Sequence, residues 1–270
     1  VGCQKSGFKE DKRPMIDRSV EYEKMARVEK ELWWYRVLHE LTHSAIRKQF
    51  GSDTSISILD LGCGTGGLMM YLRELGYNNI QGFDLSDDAV RICKDRGLNV
   101  TKGNMLDVNT LVETLSIDVI VSNDTLCYLM LNDVPLQLSS LQKVLKPNGL
   151  LVFNLPAMKI FRGTHDIGVG IVTRFESGDV AQILSGTEME LLTKRFWPFT
   201  VAPLIYLIRL KQRWQMKRLP NTPIESDVEM PNRVINRILE ALVKFECKVV
   251  GSGLFGSSLF VAARKKDTQP

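Results

Sequence analysis

The chain has 270 residues, 44% hydrophobic and 24% charged, values that suit one α/β domain with an insertion, or two small domains, around a sizeable core. A net charge of +4 is too mild for a dedicated nucleic-acid binder, and no apolar run is long enough to span a bilayer. The five cysteines (Cys3, Cys63, Cys93, Cys127 and Cys247) are odd in number and show no metal-ligand spacing, so reduced thiols in a cytoplasmic protein without a structural metal are expected.

Residues 1–18 are polar and without period, and read as a flexible arm. Between Val20 and Phe50, Met25, Val28, Leu32, Tyr35, Leu38, Leu41 and Ile46 recur at threes and fours, which predicts helix, and Gly51-Ser52-Asp53 stops it. Strand and helix then alternate. Strands are expected at Ile56–Leu61, Ile80–Asp84, Leu98–Thr101, Asp118–Ser122 and Leu150–Leu155. Helices are expected at Leu68–Leu75, from the N-cap Ser86 to Gly97, and at Val134–Leu145. This repeat means a parallel sheet with helices on both faces. Further on, Ser177–Ser185 reads as helix, Met189–Phe196 as extended chain and Ser257–Ala263 as a closing strand. The segment 198–245 reads as a helical insertion between the last two strands.

The stretch Ile58-Leu59-Asp60-Leu61-Gly62-Cys63-Gly64-Thr65-Gly66 carries the chemistry. A buried strand runs straight into three glycines at alternate positions, then a helix, at the sheet edge where α/β folds bind ligands. Glycine there permits positive φ and close approach of a ligand to the backbone. Asp84 ends the next strand, about where an acid binds ribose hydroxyls. Dinucleotide binders space the loop as G-x-G-x-x-G and place a diphosphate on it. Here the spacing is G-x-G-x-G and Asp60 guards the entrance, which repels a diphosphate and attracts an ammonium group. The loop therefore asks for a cationic amino acid joined to a nucleoside.

Asp60 to Gly66 resembles motif I of the class I S-adenosylmethionine-dependent methyltransferases. Gly82-Phe83-Asp84-Leu85-Ser86, Gly103-Asn104-Met105, the strand Asp118 to Asn123 and the turn Leu145 to Gly149 resemble the motifs that follow, in the family's order. The resemblance covers residues 56–156. It implies a Rossmann-like doubly wound seven-stranded sheet, S-adenosyl-L-methionine as cofactor and S-adenosyl-L-homocysteine as product. It also implies cofactor contacts from Asp60, Gly62, Cys63, Gly64, Gly66, Asp84, Leu85, Asn104, Met105 and Asn123. Glu29 to Tyr35 (EKELWWY), together with His165-Asp166, Arg174-Phe175 and the closing segment Phe255 to Lys265, is similar to a bacterial subgroup that often sits with polysaccharide or secondary-metabolite genes. Leu32, Ile171 and Phe175 depart from its pattern.

Methyl transfer to an alcohol calls for a general base, whereas a neutral amine attacks unaided. His165, in the loop after the fifth strand, is the first choice for the base, the other reading being that His165 and Asp166 cap the loop and pair with Arg174. Asp124 and Tyr128, after the fourth strand, orient an acceptor, with an N-cap as the other reading of Asp124. Trp34, Tyr35, Asp166 and Arg174 are candidate substrate contacts, packing being the alternative for two of the Trp33-Trp34-Tyr35 aromatics. His39 and His43 stand at i, i+4 with no third ligand near in sequence. The missing N/D-P-P-Y motif argues against methylation of nucleobase amines.

The expected division is an arm at 1–18, a helical lid at 19–50, a core at 51–197 plus 246–266, and the insertion 198–245 as substrate lid or dimer surface. The expected activity is O-methylation of a small molecule or glycan by a monomer or homodimer, with no nucleic acid as partner. N-methylation of an amino sugar or amine is the alternative, as is action on a lipid-linked glycan. Peripheral membrane contact would run through apolar Val201–Leu210 and basic Lys211–Arg218. A cofactor-binding module without transfer is the remaining class.

Overall fold

The computed structural model describes residues 18–218, 229–251 and 253–267. The arm expected at 1–18, except Arg18, and residues 219–228 of the insertion lie outside them. Two helices lead, α1 (Arg18–Val28) and α2 (Trp33–Phe50), before β1 (Ile58–Leu61), α3 (Gly67–Glu74), β2 (Ile80–Asp84), α4 (Asp87–Asp95) and β3 (Val100–Lys102). The short α5 (Val108–Leu111) precedes β4 (Ile117–Asn123), α6 (Val134–Val144) and β5 (Leu145–Pro156). The chain closes with α7 (Thr164–Val169), α8 (Asp179–Leu184), β6 (Met189–Trp197), α9 (Ala202–Arg218), α10 (Arg233–Val249) and β7 (Ser258–Lys265).

The seven strands form one sheet in the order β3-β2-β1-β4-β5-β7-β6. β7 alone runs antiparallel to its neighbours, β5 and β6. Side chains alternate across the strands and feed two cores. Leu59, Leu61, Ile120, Leu151, Phe153 and Val261 face α5, α6 and α8. Ile58, Val119, Val121, Leu150, Val152 and Phe260 face α2, α3 and α10. This period of two, apolar on both faces, is what a doubly covered sheet needs. The order reverses between β1 and β4, so the carboxyl ends of these adjacent strands open the crevice in which such folds bind ligands.

The helical pattern from Val20 to Phe50 is two helices rather than one. Asn236 of α10 satisfies the backbone at the break: its Oδ1 accepts from Trp33 N–H at 2.9 Å, and its Nδ2 donates to the Glu31 carbonyl at 2.7 Å. Sequence periodicity cannot register such a partner two hundred residues away. β5 also starts earlier than expected: Leu145 pairs with Ile117, the turn residues bulge out, and pairing resumes at Leu150 with Val119. Ser86 caps α4 as expected, accepting from Ala89 N–H at 3.4 Å.

Candidate functional site

The loop after β1 needs its glycines. Gly62, Gly64 and Gly66 have φ of 78°, 54° and 82°. A Cβ on Gly62 would lie 2.2 Å from Thr125 Oγ1, and one on Gly66 2.3 Å from a Leu98 methyl. The loop turns against β2, where the Phe83 carbonyl accepts from both Gly62 and Cys63 N–H groups at 2.8 and 3.0 Å. Asp84 completes it. One carboxyl oxygen accepts from Gly64 N–H and the other from Ser86 N–H, each at 2.9 Å. The Tyr22 hydroxyl of α1 donates to the same carboxylate. Burial raises the Asp84 pKa against these hydrogen bonds.

Asp60, buried behind the loop, is pushed up to about 7 by desolvation and by the charges of Asp84 and Glu29. At the end of neighbouring β4, Ser122 Oγ and Asn123 Oδ1 are buried without a hydrogen-bond partner among the described residues. Uncommitted acceptor oxygens beside clustered carboxyls suit a ligand bearing ammonium and hydroxyl groups, and they oppose a diphosphate. Cys63 is buried with its thiol pKa pushed up, by a hydrogen bond with Cys93 and by burial. Asn104 Oδ1 accepts from Leu106 N–H at 3.0 Å, Met105 packs against the core, and Leu85 is exposed beyond Asp84.

α1 lies across this loop. The Met25 sulfur sits 3.3 Å from where a Gly64 Cβ would be. Glu29, buried, accepts from Thr65 Oγ1 at 2.7 Å and pairs with Arg96. Arg96 in turn donates to the Thr65 carbonyl at 2.6 Å and the Ala26 carbonyl at 2.9 Å. Of the segment 19–50, α1 thus covers the loop, whereas α2 is a core layer burying Val37, Leu38 and Ile46. Tyr22 and Arg96 carried no signal in the sequence, and Thr65 only as a member of the glycine loop. Glu29 did, as the first residue of the EKELWWY stretch.

The acceptor edge begins at Asp124, directly after β4. Its φ of 50° is left-handed and costly for a non-glycine residue. Asn154 holds it: Nδ2 donates to both carboxyl oxygens at 3.1 Å, and the Asn154 carbonyl accepts from Asp124 N–H at 2.8 Å. Trp197 Nε1 fixes the Asn154 amide at 2.9 Å. Asp124 keeps some exposed surface, yet packing around its carboxyl raises the pKa to about 7. It does not cap the following 3₁₀ turn, which has no side-chain cap. Tyr128 is 44% exposed beyond it. Half-buried Tyr35 is pushed well up by burial and by nearby charges that include Glu29, Asp124 and Glu21. Trp34 stacks on Trp197, centroids 5.6 Å apart, and with Trp33 belongs to the packing of α2.

His165 and Asp166 diverge. Asp166 is committed to Arg174, with N–O distances of 2.6 and 3.2 Å, and accepts from Gly163 N–H at 2.9 Å. Burial opposes it, but Arg174 holds the Asp166 pKa below the ordinary carboxylate range. Arg174 also donates to the Ala157 carbonyl at 2.6 Å. His165 Nδ1 is buried with no partner among the described residues, and desolvation plus the nearby Arg209 lower the His165 pKa to about 4. Arg209 and Gln212 of α9 press on Gly163, where an added Cβ would lie 2.5 Å from each. The sequence placed both in a stretch read as a lid, dimer or membrane face, with no sign that they reach Gly163. His39 and His43 pack among Tyr35, Tyr71 and Tyr77 on the other side of α2.

A methyltransferase-domain family model matches residues 33–229. Malonyl-[acyl-carrier protein] O-methyltransferase of Bacillus cytotoxicus is 30% identical over 149 residues, which cover 54% of this chain and 50% of that protein. Ribosomal protein L11 methyltransferase of Lactobacillus johnsonii is 30% identical over 100 residues, 37% of this chain and 31% of the other. The chain thus spans about half or less of these relatives' length. Among solved structures, an S-adenosylmethionine-dependent methyltransferase of Archaeoglobus fulgidus superposes with a TM-score of 0.56 at 17% identity, covering 92% of this chain and all of the other. Geranyl diphosphate C-methyltransferase of Streptomyces coelicolor, solved with S-adenosyl-L-homocysteine, gives 0.53 at 13% identity, covering 86% and 80%. At these identities the structures speak for the fold, and the matched model speaks for the family. The chain belongs to the methyltransferase-domain family, on a fold that it shares with S-adenosylmethionine-dependent methyltransferases of known structure.

Proposed function

We propose that the chain O-methylates a small molecule or glycan, with Asp124 taking the hydroxyl proton. The single observation that carries this reading is the Asp124 carboxyl held at the exit of β4 by Asn154 on both oxygens, where desolvation raises its pKa to about 7. A proton acceptor works best when its pKa lies near the working pH. His165, at about 4, stays neutral but is a weak base, so it serves as a hydrogen-bond acceptor that orients the hydroxyl. The choice of base therefore passes from His165 to Asp124.

S-adenosylmethionine, when bound, supplies a methyl group already activated on a sulfonium. The glycine loop, Asp60, Asn123 and Asp84 would hold it, Asp84 taking the ribose hydroxyls. The protein's own work is alignment and exclusion of water. α1 closes over the loop, Asn154 fixes Asp124, and Arg174 with Asp166 anchors the loop that carries His165. An amine acceptor would need no base, so the built and desolvated Asp124 favours oxygen over nitrogen.

The test incubates the protein and methyl-labelled S-adenosylmethionine with cell extract, then separates soluble, lipid, protein and nucleic-acid fractions. Label in the soluble or lipid fraction, lost in Asp84→Ala and reduced at least a hundredfold in Asp124→Asn, supports the reading. Label in protein or nucleic acid, or full activity in Asp124→Asn, overturns it.

A further inference from the structure

α9 has two working sides. The inner side sets Arg209 and Gln212 on Gly163 at the acceptor edge. The outer side exposes Leu207 (59%), Ile208 and Trp214 (53%). α10 repeats the pattern. It buries Asn236, Val243 and Glu246, and exposes Ile235, Ile238, Leu242, Phe245 (66%) and Val249. These five are spaced three and four apart, so they form one stripe along the helix. Glu246 joins the helices, accepting from the Phe199 and Thr200 N–H groups, both at 2.7 Å, at the entry to α9. Apolar surface on this scale marks an interaction site.

Charge selects the partner. Among the described side chains of the two helices, the exposed charged ones are Lys211, Arg218, Arg233, Arg237 and Lys248, all basic. Both acids turn inward: Glu240 pairs with Arg36 at 2.7 Å and Lys244 at 3.0 Å, and Glu246 is buried. The Arg218 guanidinium lies 3.7 Å over the Trp214 ring, which keeps a cation beside an aromatic on the open face. Two copies packed on these faces would set the Lys211 and Arg218 cations of α9 against one another, with Arg237 and Lys248 flanking the stripe of α10, whereas an anionic headgroup layer neutralises them. No described helix is long and apolar enough to cross a membrane, so the contact lies in the interface plane.

We propose that the outer faces of α9 and α10 dock the protein on an anionic lipid surface. α9 carries both the docking face and Arg209, so docking fixes the roof of the acceptor edge. The proposal stands apart from the assignment of Asp124 as base.

The test sediments the full chain with phosphatidylglycerol–phosphatidylcholine vesicles and with phosphatidylcholine alone, and light scattering gives the mass in solution. The expected result is binding to the anionic vesicles only, weakened by salt. Leu207→Gln/Trp214→Gln/Phe245→Gln should abolish it, and Arg237→Ala/Lys248→Ala should lower the partition coefficient roughly fivefold per cation. S-adenosylmethionine affinity, measured on the same variants, should be unchanged, which shows that they fold and separates failure of docking from failure of the transfer assignment. No vesicle binding at low salt overturns the proposal. If the chain is also a dimer that the triple substitution dissociates, the occupant of the face is a second copy.

Discussion

The Tyr22 hydroxyl of α1 donates a hydrogen bond to the carboxylate of Asp84, the acid that ends β2. A ribose hydroxyl would make the same bond, so α1 competes with the cofactor for that acceptor. Tyr22→Phe should tighten S-adenosylmethionine by up to about tenfold, the worth of one hydrogen bond. Calorimetric titration reads it. Weaker binding would make Tyr22 a support of Asp84 and not a rival.

Glu29 and Arg96 set the stability of the covering helix. Arg96→Met leaves the Glu29 carboxylate buried without its cation. Arg96 keeps a fifth of its side chain exposed, so the low end of the range for a broken buried pair applies, roughly 3 kcal/mol. Thermal unfolding should show a clear drop in Tm, and Glu29→Gln in the same chain should restore part of it. A drop no smaller in the double variant would refute the pairing as the cause.

Activity should rise tenfold per pH unit below about 7 and level off above, as Asp124 ionises. Asp124→Asn should lose this limb along with most of the rate. A pH-rate profile that breaks near 4 instead would return the base to His165.

Stability should move the other way. Asp60 and Asp124 bind a proton more tightly folded, at about 7, than unfolded, at 3.8. Their contribution is complete below the unfolded value and is lost as pH rises through 7. His39 and His165, lowered to about 4, act oppositely but only below their unfolded value of 6.5. Between pH 6.5 and 8 the carboxyls stand clear of them, so the urea midpoint should fall with rising pH there. Asp60→Asn should flatten the slope.

The strands, the glycine loop and Asp84 were legible because each is a local pattern: a buried apolar run, a positive-φ turn, an acid at a strand end. What stayed hidden depends on distant partners. Asn236 holds the break between α1 and α2 from two hundred residues away. Asn154 lies within an apolar strand and gave no hint that it would grip Asp124. The pairing of Asp166 with Arg174 was open to the sequence as an alternative, but the approach of Arg209 to the same loop from α9 was not. The ranking of Asp124 over His165 could not be made without the burial that sets their two pKa values apart.

The most direct measurement is a calorimetric titration of S-adenosylmethionine into the full chain and into Asp84→Ala. One site per chain, weakened about ten- to a hundredfold by the substitution as charge-assisted hydrogen bonds are lost, is the predicted result. No binding to the unaltered chain, or equal affinity in both, would contradict the cofactor site described at the glycine loop.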